Sequence, residues 1–121
     1  MSRNIKYEMI FCVVNAGFSD EVMDAAREAG VGGGTVIHAR GTANKEAETL
    51  YGITIQPDKD VVLLLVPAKI KDNVLHAIYQ SAGLKSAGQG IAFSLPVSRA
   101  VGLREETEAP KEEKADRKSV V

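Results

Sequence analysis

The chain has 121 residues, enough for one domain, and 45% of them are hydrophobic, enough for a real core. Its formal net charge is −1 at pH 7, so there is no basic excess with which to hold DNA or RNA. A single cysteine rules out an internal disulfide and suits a reducing compartment, and no stretch is apolar for long enough to span a bilayer as a helix.

Met1 to Lys6 lacks the long apolar core of a signal peptide, and a cytoplasmic protein is expected. The first element is a strand over residues 8–14, where Met9-Ile10-Phe11-Cys12-Val13-Val14 is apolar throughout. Cys12 sits inside that run and reads as a buried small hydrophobe. Asn15-Ala16-Gly17 breaks the strand. Ser19 can cap a helix whose first turn carries Asp20 and Glu21. Val22, Met23, Ala26 and Ala29 mark its inner face, and Gly30 ends it in the left-handed region. A glycine-rich run, Gly30-Val31-Gly32-Gly33-Gly34, then leads into a second strand over residues 35–40. His38 on that strand, like His76 later, has no His or Cys partner at metal-ligand spacing, so both read as surface or half-buried residues.

Residues 42–59 are mostly polar around Leu50-Tyr51-Gly52-Ile53. A connection this long in a small domain tends to be functional or mobile. Lys59 and Asp60 stand at its end, where they either hold phosphate and set loop geometry or simply begin the next strand. Residues 61–66 form a continuous apolar run, read as a strand buried on both faces and ended by Pro67. Residues 69–82 form a second helix, with Ile70, Val74, Leu75 and Ile78 inward and Gly83 at its end. Residues 84–89 make a loop, and 90–97 make the fourth strand.

The order β-α-β-β-α-β predicts an α+β, ferredoxin-like sandwich with an antiparallel sheet and both helices on one face. The other face would be left bare, and its apolar strands suggest packing against further copies of the chain. This domain covers residues 1–104. From 105 to 121 the sequence is dominated by Glu, Lys, Arg and Asp, as expected for a disordered or loosely held tail.

Two glycine clusters, Gly30 to Gly34 and Gly88-Gln89-Gly90, each lead into a strand. Glycines let main-chain N–H groups approach a ligand closely, so the pair suggests a small anionic ligand such as a nucleotide. The first cluster lacks the Lys-Ser/Thr ending of a phosphate loop, and a helix cap with a tight turn is its alternative. A valine at Gly90 is expected to block the ligand without unfolding the chain. Thr35 either bonds an adenine or ribose edge or is an ordinary β-branched strand residue. No nucleophile has an evident base and no carboxylates are paired. A small trimeric ferredoxin-like enzyme and a ligand-free structural oligomer remain the alternatives to a binding module.

Taken together, several features resemble the nitrogen-regulatory P-II signalling proteins. They are the element order, Gly-Val-Gly-Gly-Gly-Thr-Val at 30–36, the long loop from Gly41, Val66-Pro67, and Gly88-Gln89-Gly90 followed by Ile91-Ala92-Phe93. The similarity runs over about residues 6–104. It implies a homotrimer with no obligatory cofactor that binds an adenine nucleotide (ATP, ADP, AMP or a cyclic nucleotide) in clefts between subunits. It also implies a loop from Thr42 to Asp58, the T-loop, that contacts a partner enzyme or membrane transporter, with no nucleic acid and no direct membrane insertion. On this resemblance Gly34 is one of the nucleotide-binding residues, Thr35 lies at the adenine edge, Gly41 at the loop base and Leu65 in the base pocket. Lys59, Gly88, Gln89 and Gly90 face the phosphates, and Arg104 reaches in from the neighbouring chain.

The chain also departs from the family's pattern. Gly-Gln-Gly-Ile replaces Gly-Asp-Gly-Lys, so Ile91 stands where a phosphate-binding lysine is usual. Gly102 replaces an arginine, and Asn44-Lys45 stands where Arg-Gln is usual. The T-loop is shorter and lacks Tyr-Arg-Gly-Ala-Glu-Tyr with its nucleotidylated tyrosine, Tyr51 aligning with an earlier one. Each lost charge-assisted phosphate contact is worth about 1.5–3 kcal/mol. The pocket is expected to suit a less charged ligand than ATP with 2-oxoglutarate, as in the P-II-like relatives.

Overall fold

The computed structural model describes residues 5–42, 57–81, 84 and 90–103. Their elements are β1 (Tyr7–Asn15), α1 (Ser19–Glu28), β2 (Thr35–Arg40), β3 (Asp58–Pro67), α2 (Lys71–Ser81) and β4 (Gly90–Val97). A short 3-10 turn, Ala68–Ile70, leads into α2. The strands form one antiparallel sheet in the order β2-β3-β1-β4. β1 lies inside the sheet, with Phe11 opposite Leu63 on one side and Phe93 on the other.

Side chains alternate across a strand, so β1 and β3 each divide into two faces. Ile10, Cys12, Val14, Val62, Leu64 and Val66 point to one face and are at most 1% exposed. α1 covers that face with Val22, Met23, Ala25 and Ala26, and α2 covers it with Val74 and Ile78. The two helices also pack against each other. Each such aliphatic side chain contributes about 1.5–3 kcal/mol by leaving water. Burial pushes the Cys12 thiol up to about 11, so it stays protonated and inert at neutral pH.

Among the described residues no helix lies over the opposite face. Met9, Phe11, Val13, Val61, Leu63 and Leu65 are only half-buried there. Ile37, Ile91, Phe93 and Leu95 on the same face are exposed. The rings of Phe11 and Phe93 stack across β1 and β4 with centroids 5.3 Å apart. The expectation that residues 61–66 are buried on both faces is therefore corrected: within one chain, β3 is buried on the helix side alone.

Several element ends also differ from expectation. β3 begins at Asp58, so Lys59 and Asp60 belong to the strand rather than to a loop before it. Pro67 is still extended (φ −61°, ψ 141°), and the 3-10 turn delays α2 to Lys71. Ser19 is the first helical residue and not the cap. Phe18 holds the cap position and makes no side-chain capping bond. At the other end of α1, Gly30 takes φ 107°, its N–H donates to the Arg27 carbonyl, and the Val31 N–H donates to Ala26. That pair of bonds is the Schellman arrangement that a left-handed glycine permits, and it buries Val31 against the core.

Candidate functional site: the loop end of the sheet

β1 and β2 finish, and α1, β3 and β4 begin, at the same end of the sheet. The register sets Gly90, Val14, Asp60 and His38 in one row across all four strands. Asn15, Lys59 and Ala39 form the next row. The two loops singled out in the sequence, after Gly41 and before Gly90, therefore leave from one end. Their strands, β2 and β4, are the opposite edges of the sheet, about 14 Å apart at the usual strand spacing.

The feet of the longer loop are joined. The Gly41 N–H donates to the Pro57 carbonyl. A Cβ on Gly41 would lie 2.9 Å from Cε of Lys59, so the lysine stem runs where a side chain would otherwise be. The Lys59 ammonium then donates to Oδ1 of the buried Asn15 at 2.7 Å, tying β3 to the end of β1. Lys59 thus lies within the strand and packs on the loop's first foot, and its ammonium has two further protons to donate.

Asp60 is the buried charge of this end, with 5% of its side chain exposed. Its Oδ1 accepts from His38 Nδ1 at 2.9 Å, and its Oδ2 accepts from the Gly17 N–H at 3.1 Å. The Ser19 side chain is a further and weaker influence on it. The His38 bond, and after it the Gly17 N–H, hold the Asp60 carboxyl below the usual carboxylate range, against the opposing effect of burial. An ionised carboxylate can only accept, so His38 carries its proton on Nδ1 and turns Nε2 outward. Arg40 and Asp58 oppose each other one step nearer the loop. With Ala16, His38 and Lys59 they line an open depression of about 580 Å³.

The remaining expected site residues are scattered. Gly34 precedes β2, and an added Cβ would lie 2.5 Å from Cδ2 of Leu64 and 2.8 Å from the Leu63 carbonyl oxygen. Close packing of the chain there accounts for the glycine. Thr35 opens β2 opposite Leu63, and Leu65 lies on the same uncovered face opposite Met9. Gly90 pairs with Val14 on the far edge, away from Thr35. An added Cβ there would lie 2.6 Å from the Val13 carbonyl oxygen, so a valine would strain β4 itself besides any effect on a ligand. Gly88, Gln89 and Arg104 lie outside the described residues, as do residues 43–56 of the loop and the charged tail.

Asn15 and the His38–Asp60 pair were not anticipated as parts of this site. The pair had a legible signal: His38 stands three residues before Gly41 and Asp60 three after Pro57, as a hairpin pairing of those feet requires. Among the described residues no cluster of His, Cys, Asp and Glu could hold a metal ion, and no helix is long and apolar enough to cross a membrane.

Many solved chains match this fold, and two serve as examples. One is a PII-like signalling protein from Thermus thermophilus, 14% identical, matched over 77% of this chain and 87% of the other with a TM-score of 0.58. The second is the apo form of CPII, a nitrogen regulatory PII-like protein from Thiomonas intermedia. It is 15% identical, matched over 76% of this chain and 89% of the other with a TM-score of 0.57. No curated protein matches the chain. The family described as "Nitrogen regulatory protein P-II" matches residues 7–107, nearly all of the folded part. This chain belongs to the P-II family.

Proposed function

We propose that the chain is a non-enzymatic signalling protein that works as a homotrimer, with its uncovered sheet faces turned toward one another. It binds an adenine nucleotide between neighbouring subunits and passes that occupancy, through the loop between Gly41 and Pro57, to an enzyme or membrane transporter. The observation that carries this reading is the division of the expected site between two sheet edges. Gly34, Thr35, Gly41 and Lys59 lie on or beside β2 and its partner β3, whereas Gly90 begins β4 at the other edge. A cleft between two copies is the arrangement that could place both sets around one ligand. The apolar face supports assembly: Ile91 is 56% and Leu95 47% exposed in the single chain, beside Phe93 and Ile37. Such a patch marks an interaction surface.

In mechanism, nucleotide phosphates would bond the N–H groups of the loop before β4 and a further proton of Lys59. Because Lys59 packs on Gly41 at the loop's first foot, filling the cleft would bias the loop toward one conformation. Light scattering combined with calorimetry against ATP, ADP, AMP, cyclic AMP and cyclic di-AMP tests the reading. A trimer that binds one of them with one site per subunit is expected. A stable monomer at micromolar concentration, or no heat with any of the five, overturns it.

A further inference from the structure

One buried carboxylate joins three elements at the loop base. Asp60 sits in β3, accepts from His38 of β2, and accepts from Gly17 in the turn before α1, 43 residues away in sequence. Ser19, in the first turn of α1, is a weaker influence on the same carboxylate, and the Gly17 bond is the geometric link to the helix start. α1 has no side-chain cap of its own, and the Asp60 charge lies where its N-terminal dipole favours an anion. The Asp60 side chain is 5% exposed and that of His38 is 89% exposed, so a carboxylate closed to solvent is held from outside by one accessible imidazole.

We propose that Asp60 is a positioning residue of the loop base. It fixes the start of α1 and the end of β2 together, so that a displacement of His38 at the loop foot is transmitted to Gly17 and Ser19. The proposal rests on the reading of the loop as the contact element only for its regulatory use. The coupling itself belongs to the ligand-free protein. Its physical source is that two acceptor oxygens share one side chain and one set of torsions. Losing the His38 donor frees the carboxylate to turn toward water and weakens the bonds it makes to the α1 start. Lys59 and Asn15, on the adjoining row, tie β3 to β1 through their side chains, and the Asn15 carbonyl accepts from the Phe18 N–H ahead of α1.

The test is amide hydrogen exchange on the full-length, ligand-free protein, read at Gly17, whose N–H reports the carboxylate directly. His38→Ala should speed Gly17 exchange about three-fold or more, the size of a coupled contact, with the Ile10 and Leu64 amides unchanged. His38→Gln offers Oδ1 an amide N–H and should restore much of the protection. The melting-point losses of His38→Ala and Ser19→Ala should not add in the double variant, since both act through one carboxylate. Arg40→Gln, on the same strand face two residues on, should leave Gly17 unchanged. An unaltered Gly17 rate in His38→Ala, additive melting-point losses, or an equal effect from Arg40→Gln would each overturn the proposal. None of these readouts involves a nucleotide, so failure of the nucleotide reading and failure of the coupling are told apart.

Discussion

The two faces of the sheet are built from the same kinds of residue and meet different fates. Leu64 and Leu63 are neighbours in β3. The first is fully buried beneath the helices, and the second lies on the uncovered side, half-buried among other side chains of its own face. Alternation explains the division, but it does not explain why the uncovered side is also apolar. A face meant for water would alternate with polar residues. The comparison teaches that the described chain leaves one apolar face open, the face that the proposed assembly would cover.

The sharpest way to break that comparison is to truncate both leucines. Leu64→Ala should cost about 2–5 kcal/mol of stability at any protein concentration, as a cavity in a closed core does. Leu63→Ala should cost a comparable amount that grows smaller on dilution, because the proposed assembly would complete its burial. Urea unfolding at two protein concentrations checks both. A loss at Leu63 below about 0.5 kcal/mol, as for an ordinary surface substitution, would mean the uncovered face stays wet.

Leu95→Asp puts an unpaired carboxylate on the uncovered face and should cost the assembly several kcal/mol while leaving each chain folded. Sedimentation should then give a monomer with unchanged circular dichroism. A persistent oligomer would place the interface elsewhere.

Gly90→Val sharpens the comparison at the sheet's edge. The new Cβ meets the Val13 carbonyl oxygen, and a loss of about 1–3 kcal/mol is expected even without ligand, visible in a thermal melt. An unchanged melting point would return Gly90 to a purely ligand-facing role.

Acid separates the loop end from both faces. Asp60 has its folded-state pKa lowered, first by the His38 bond. Its contribution is therefore fully present above the unfolded carboxyl value of about 4 and is lost as pH falls from there through the lowered folded value. Stability of the parent should drop in that window, and Asp60→Asn should flatten the drop. Equal slopes for the two in urea melts from pH 5 to pH 2 would show that other carboxylates carry the acid limb. The smallest effect is expected for Thr35→Ala, about 1 kcal/mol of nucleotide affinity by calorimetry, the worth of one neutral hydrogen bond. Unchanged affinity would remove Thr35 from the cleft.

The order of elements was written in the chain because periodicity and glycine punctuation are local: residues 19–28 repeat as a helix, and Gly30 stops them by its own backbone freedom. The apolar character of the strands was legible for the same reason. Contacts between distant segments were not. Ser19 resembled a cap, yet the side chain that accepts an N–H just before α1 is Asp60, which only the β1–β3 pairing brings there. Gly34 and Gly90 resembled ligand loops, yet each also stands where backbone or packed side chains leave no room for a Cβ. Lys59 resembled a phosphate ligand, and the fold gave it Asn15. A sequence states what each residue can do alone, through its torsions, size and charge. Which partner it meets depends on strand register and on which face the helices cover, and those are settled when apolar side chains tens of residues apart are buried together.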